Sequence, residues 1–472
     1  MSNLHRMVFQ PTSDQHGPKF LNPNKTISRK AHSRASSAAS SRAGSRVTSR
    51  VNSAQVSRQG SEDEYETDDA ATVVSQGTQL DDIIGHDFHV DARSWEEVLA
   101  DRIEEICDRK RSSVEGRENA YSAYIRLLLA NYAREEIYER TEELADAFLK
   151  SIKGGRSEKE AALAVRALAL TIITTPTEKL FDKSYRPLKA ILNDYESTTV
   201  KAIIISTISI ACFYVGSQTE ITALMSYFLD IISSDGALLN AQDSAEVVAS
   251  ALHAWGLLAT VYTGPPQDIN DEAMDIFVEQ LESGSVDVQT AAGESIALLY
   301  EMSYREVEDD IDEEQVEFWK KKGRVLVYDQ STYIQKYQPY GRENDLLNTL
   351  SGLASGSKRY LNKKDKRIQH SAFQAILKGV EHPLVGDGRP HQKLTVRKDV
   401  TLAVDEWWKL VRVHGVKSML RGGWQTHLQL NDSFVRKLGL EMREMTNYRN
   451  QKSKPKGKKP RWSPKSDDED YY

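Results

Sequence analysis

Cysteine, long apolar runs and strand-forming patterns are all scarce in this chain, and each scarcity removes a class of protein. Only Cys107 and Cys212 occur in 472 residues, in separate candidate helices and without a CxxC or Cys/His cluster. That excludes a disulfide framework and a cysteine-ligated zinc site, and it suits a reducing compartment. No apolar run approaches the roughly 18 residues that a membrane span needs. The strongest candidate, AIIISTISIACFYV, is short and carries Ser206, Thr207 and Ser209. The first residues, MSNLHRMVFQPTSDQH, lack the charged-then-apolar design of a signal peptide. The expectation is a soluble intracellular protein, cytoplasmic with the nucleus as a second compartment, that inserts into no membrane.

Catalytic patterns are missing as well. Gly386-Asp387-Gly388 lacks the third glycine and the strand-to-helix setting of a dinucleotide loop, and there is no GxxxxGK[ST]. His370, His382, His391, His414 and His427 crowd the last third of the chain, but none pairs with a cysteine or forms HExxH. The acidic stretch DDIDEEQ lacks the spaced ligands and the glycine of an EF-hand. No catalytic residue, metal, cofactor or small-molecule substrate is therefore expected.

What is present is charge, sorted along the chain. Residues 1–60 hold ten Lys/Arg against Asp14, and residues 61–70 hold six acids and no base. Residues 443–465 hold nine Lys/Arg against Glu444, and the last seven residues add four acids. The formal charge of -7 thus leaves -14 on residues 71–442, so a polyanion would be met by the appendages. The leader TISRKAHSRASSAASSRAGSRVTSRVNSAQVSRQGS has too little apolar surface to order itself. Arginine stands three residues before Ser37, Ser45, Ser49, Ser53 and Ser61, a spacing that suits basophilic kinases. These serines, with Ser463 in the tail, are candidate phosphosites, and each phosphate adds about -1.5 to -2 charge.

From residue 94 the pattern becomes helical. Ser94/Glu97, Ser112/Glu115 and Ser157/Glu160 each fit an S-x-x-E capping box. Further helical runs are expected at about 179–193, 197–215, 219–233, 242–262, 271–283 and 285–304, punctuated by Gly154-Gly155, Pro176, Gly236, Pro265-Pro266 and Gly284. In the last run, SVDVQTAAGESIALLYEM, positions 288, 292, 295, 299 and 302 trace one amphipathic face. Gly293 costs that helix roughly 1 kcal/mol against alanine, which implies a close neighbour. Paired helices with small inner residues predict an all-α fold, an ARM/HEAT-like α-solenoid. Glu294 then points to the concave surface or caps a neighbouring turn.

The expected organisation is a disordered leader at 1–90, a solenoid at 91–381 with an acidic insertion at 305–344, a small, mostly helical C-terminal domain at 392–442 and a disordered tail at 443–472. The insertion should carry a short helix at 311–322, followed by a helix at 343–355. The last domain should carry a strand at 393–397 and helices at 404–421 and 424–438. Strands are otherwise nearly absent, and of Trp407 and Trp408 one should face away from the core.

Two basic clusters offer phosphate contacts. Lys358, Arg359, Lys363, Lys364, Lys366 and Arg367 form the first, and Lys452, Lys454, Lys456, Lys458, Lys459 and Arg461 form the second, with Trp462 placed to stack on a base. KPKGKKPR also reads as a nuclear-import signal.

Three stretches carry a family resemblance: DVQTAAGESIALLYEM, NKKDKRIQHSAFQAILKGVE and VDEWWKLVRVHGVKSMLRGGWQTHLQLNDSFVRKL. Together they resemble the interferon-related developmental regulator family over roughly residues 80–445, with the family's G-x-x-x-HL-x-x-N pattern at Gly423, His427, Leu428 and Asn431. The resemblance implies a non-enzymatic ARM-like protein. Its implied roles are binding of translationally inactive ribosomes, with the basic C-terminal region on ribosomal RNA, and nuclear co-regulation of transcription through protein partners on the solenoid surface.

Overall fold

The computed structural model describes residues 93–154, 157–307, 317–318, 320–328, 331–355, 363–397, 400–440 and 442–444. The expected α-solenoid is present. Its helices are α1 (Trp95–Cys107), α2 (Val114–Ala130), the short α3 (Arg134–Ile137), α4 (Thr141–Gly154), α5 (Glu158–Thr174), α6 (Glu178–Asp194) and α7 (Thr198–Val215). They continue with α8 (Gln218–Ser233), α9 (Ala245–Ala259), α10 (Pro266–Gln280), α11 (Val286–Met302), α12 (Glu343–Ala354) and α13 (Lys363–Glu381). Helices α2, α5, α7, α9, α11 and α13 each pack on the next to make an inner layer. Helices α1, α4, α6, α8, α10 and α12 form the outer layer, each against the inner helix that follows it.

The inner helices α5, α7, α9 and α11 have neighbours on nearly every side, so their sequences are apolar almost all round. In α5 every residue from Glu160 to Thr174 is buried. The single amphipathic face expected for α11 is corrected on the same ground, since Val288, Gln289 and all of Ala291–Glu301 are buried. Helix α7 is long and apolar enough to cross a membrane, but 72% of it is buried inside the stack.

Serine caps start these helices, with two corrections. Ser94 Oγ accepts from Glu97 N at 3.3 Å, and Ser157 Oγ accepts from Glu160 N at 3.0 Å. At α2 the cap is Ser113 rather than Ser112, accepting from Gly116 N at 3.0 Å. Nor does Glu160 reach back to its cap. Its buried carboxylate takes Arg117 Nε and Nη2 at 2.7 and 2.9 Å and Ser151 Oγ at 2.7 Å. A buried carboxylate needs a cation more than a cap needs a second hydrogen bond. A complete capping box occurs instead at Ser217 and Glu220.

Strands, expected to be almost absent, form two three-stranded antiparallel sheets. β1 (Tyr304–Glu306), β2 (Val325–Tyr328) and β3 (Ser331–Gln335) lie in the order β1-β3-β2 within the 305–344 excursion. Of the helix expected at 311–322, residues 317, 318, 320 and 321 are described as helical. In the last unit β4 (Gln392–Arg397), β5 (Val400–Val404) and β6 (Met442–Glu444) lie in sequence order. The helix expected from 404 therefore begins later, as α14 (Trp407–Leu420), because β5 is paired on both edges. The run expected at 424–438 splits into α15 (Trp424–Leu430) and α16 (Asp432–Leu438). Asn431 ends the first and caps the second, accepting from Phe434 N at 3.0 Å. One hydrophobic core runs from Leu99 to Leu440, through solenoid and C-terminal unit alike.

Candidate nucleic-acid interface

Among the described residues the candidate interface centres on the start of α13. Four-and-three spacing puts Gln369, Phe373, Ile376 and Val380 on one strip, and all four are buried. Phe373 and Ile376 are what Gly293 makes room for. A Cβ on Gly293 would stand 2.8 Å from Ile376 Cδ1 and 3.3 Å from the Phe373 ring. Gln369 Nε2 donates to Gln289 Oε1 at 2.9 Å, and Gln289 in turn donates to the Leu281 and Ser283 carbonyls, both at 2.8 Å. These contacts fix α13 against α11.

The start of α13 holds Lys363, Lys364, Lys366 and Arg367 against one acid, Asp365; Lys366 is half-buried and Arg367 exposed. Spacing carries this basic start along the helix through His370 and Gln374, both exposed. Cations there oppose the helix dipole, at a cost of about 0.3 to 1 kcal/mol each. Acid also stands in the first turn of α2, α5, α9 and α11, and α7 has none there, so the start of α13 differs from them in its number of cations. The setting sharpens the contrast, because residues 202–304 contain fourteen acids and no lysine or arginine. That one block accounts for the whole -14 of the body.

The described chain ends in the last sheet, ahead of the second basic cluster. β6 pairs with β5 so that Glu444 stands opposite Val400, beside the β4–β5 turn that follows Arg397. Lys358, Arg359, Lys452, Lys454, Lys456, Lys458, Lys459, Arg461, Trp462 and the candidate phosphosites Ser37, Ser45, Ser49, Ser53, Ser61 and Ser463 lie outside the described residues.

The C-terminal unit covers the inner layer. Helix α14 packs on α5, α7, α9 and α11, and α15 packs on α2. The Gly423, His427, Leu428, Asn431 pattern does this docking. A Cβ on Gly423 would come within 2.7 Å of the Leu129 backbone. His427 Nε2 donates to the Leu128 carbonyl at 3.1 Å, Leu428 is buried, and Asn431 Nδ2 donates to the Ile173 carbonyl at 3.3 Å. Burial pushes the His427 pKa down, more than its backbone hydrogen bond raises it, and favours the neutral ring.

Three further residues complete the docking. Glu301 of α11 caps α14, its carboxylate accepting from Trp407 N at 2.7 Å and Trp408 N at 3.1 Å. Burial pushes its pKa up to about 7 in spite of those two donors. Glu294 accepts from His414 Nδ1 at 3.0 Å. Burial pushes Glu294 upward, but His414 and then His253 outweigh it and hold the carboxyl below its ordinary range. Arg412 reaches the C-terminal end of α9, donating to Thr260 O at 2.7 Å and Thr260 Oγ1 at 2.9 Å. Trp407 is buried, its indole donating to the Gly388 carbonyl at 3.0 Å, whereas Trp408 is half-buried under the Arg412 guanidinium. Sequence reading missed Glu301 and Arg412, because each partner lies more than a hundred residues away. No group of three or more His, Cys, Asp or Glu side chains able to hold a metal occurs among the described residues.

Comparison with known proteins places this architecture. The sequence profile of the interferon-related developmental regulators matches residues 58–381. The chain is 28% identical over 348 residues to an uncharacterized protein of Schizosaccharomyces pombe, covering 73% of this chain and 74% of that one. It is 27% identical over 382 residues to interferon-related developmental regulator 2 of Mus musculus, covering 78% of each. With interferon-related developmental regulator 1 of Sus scrofa it shares 26% identity over 339 residues, covering 68% of this chain and 66% of the relative.

Proposed function

The chain belongs to the interferon-related developmental regulator family, and from that premise we infer that it works by binding rather than by catalysis, associating with ribosomes to repress translation or hold them inactive. Its basic segments supply the contact with ribosomal RNA. The observation that carries this reading is the basic start of α13, four cations against Asp365 at the end of the helix where the dipole disfavours positive charge. A local cost without a structural return is what binding sites are built from. The residues after β6 add a second cationic segment in sequence, Lys452 to Arg461, for the same RNA surface. The acidic block at 202–304 would face away from the phosphate backbone, so that charge orients the protein as well as holding it.

Sedimentation of the tagged protein through sucrose gradients, from growing and starved cells, tests this. Wild type should comigrate with ribosomes, more so on starvation and less at high salt. Charge reversal of Lys363, Lys364, Lys366 and Arg367 should weaken comigration, as should deletion of 443–472. Each lost phosphate contact should reduce the slope of log affinity against log salt by about 0.7 to 0.9. Unchanged comigration in both variants at every salt concentration would refute the assignment of the contact. Wild type remaining at the top of every gradient would move the reading to a nuclear co-regulator that scaffolds protein partners.

A further inference from the structure

Five inner helices begin behind a serine: Ser113, Ser157, Ser197, Ser244 and Ser285 precede α2, α5, α7, α9 and α11. Ser113 differs from the other four in two respects. It is exposed, whereas the rest are half-buried. It follows the basic triplet Arg109-Lys110-Arg111, and none of the other four has a basic residue two or three positions before it. Its N3 residue is Gly116, uncharged like Val200, Val247 and Val288 behind Ser197, Ser244 and Ser285, whereas the Ser157 cap has Glu160 there.

We propose that Ser113 is a phosphorylation site for a basophilic protein kinase. Such kinases read cations two and three residues before the acceptor, commonly with an apolar residue after it, and Lys110, Arg111 and Val114 occupy those places. Lys110 is exposed and makes no ion pair with a described residue. Arg109 has a structural duty, donating to Ala147 O and to Ser151 Oγ at 2.7 Å, so the recognition falls to Lys110 and Arg111. Ser112 and Ser113 both have extended backbone, at φ -87°, ψ 134° and φ -74°, ψ 167°, the conformation in which a kinase groove takes its substrate. The two hydroxyls are not equivalent. Ser112 Oγ donates to the Arg109 carbonyl at 3.2 Å, whereas Ser113 Oγ only accepts, from Gly116 N, and its proton is free to leave.

In the reaction the Ser113 oxygen attacks the γ-phosphorus of ATP. A new O–P bond forms, the bond to the β-phosphate oxygen breaks, ADP leaves, and the hydroxyl proton passes to the kinase base. The product carries about -1.5 to -2 charge at the start of a 17-residue helix. Its phosphoryl oxygens take over the cap at the positive end of the dipole, so the modification is compatible with the fold.

The test treats the full chain with ATP and the catalytic subunit of a basophilic kinase, followed by fragmentation of the tryptic peptide 112–117. Phosphate on Ser113 is expected in wild type. Ser113→Asn, which keeps a good N-cap, should lose it, and Lys110→Ala with Arg111→Ala should also lose it while the helix stays intact by circular dichroism. The serines of the leader serve as an internal control for kinase activity. Labelled leader serines beside an unmodified 112–117 peptide would overturn the proposal, and so would phosphate on Ser112 alone.

Discussion

Gly293 shows how one missing methyl group can decide a packing. Alanine improves the intrinsic helix propensity by about 1 kcal/mol. It also drives a Cβ into Ile376 and Phe373, and overpacking of a filled core costs about 1 to 3 kcal/mol. We expect Gly293→Ala to lose about 1 kcal/mol net in urea unfolding. Gly352 is the control. It sits exposed in α12 with no atom within 4 Å of its virtual Cβ, so Gly352→Ala should gain about 0.5 to 1 kcal/mol. A gain at both positions would mean that α13 yields at its contact with α11.

At the scale of elements, α14 cannot satisfy its own first turn, since Glu406 at its N-cap makes no side-chain hydrogen bond there. Glu301 does so from another helix. Glu301→Ala leaves two backbone donors without an acceptor and should cost about 2 to 4 kcal/mol. Glu301→Gln keeps an acceptor and should cost less. The pH dependence has a definite sign. A carboxyl raised in the folded state to about 7, against an ordinary 4.5, binds its proton more tightly when folded. Its contribution is therefore full below the ordinary value and is lost as pH rises through 7. Wild type should lose stability between pH 5 and pH 8 relative to Glu301→Gln. Parallel denaturation midpoints for the two proteins would remove that titration.

For the whole molecule, the inner layer depends on the C-terminal unit for its cover. Truncation after Glu381, where the family profile stops, strips α14 from α5, α7, α9 and α11. Residues such as Trp407, Val413 and Leu420, buried in the intact protein, leave with it and expose the apolar surface beneath. We expect the truncated protein to aggregate or to bind a hydrophobic dye such as ANS. A soluble piece with cooperative unfolding and no dye binding would show that the solenoid is complete without its last unit. Charge is a property of this scale too, since the acidic block spans α8 to α11 while the basic helix α13 carries the opposite sign.

The helices, their serine starts and the basic clusters were legible in the sequence, because each is written in residues a few positions apart. Periodicity, capping chemistry and charge counting need no long-range information. The sequence also required a close neighbour at Gly293, from the local cost of glycine in a helix. It could not say that the neighbour was α13. Apart from β4, expected at 393–397, the short strands escaped notice because three to five residues carry little period and gain their stability from paired partners. Sequence placed the α2 cap at Ser112, and only the backbone moved it to Ser113. The roles of His427, Glu294 and Glu301, and the Asn431 bond to Ile173, belong to tertiary structure, since those partners lie more than a hundred residues away. Local physics determined the elements of this protein, and burial against distant partners decided which polar residues lock the C-terminal unit onto the stack.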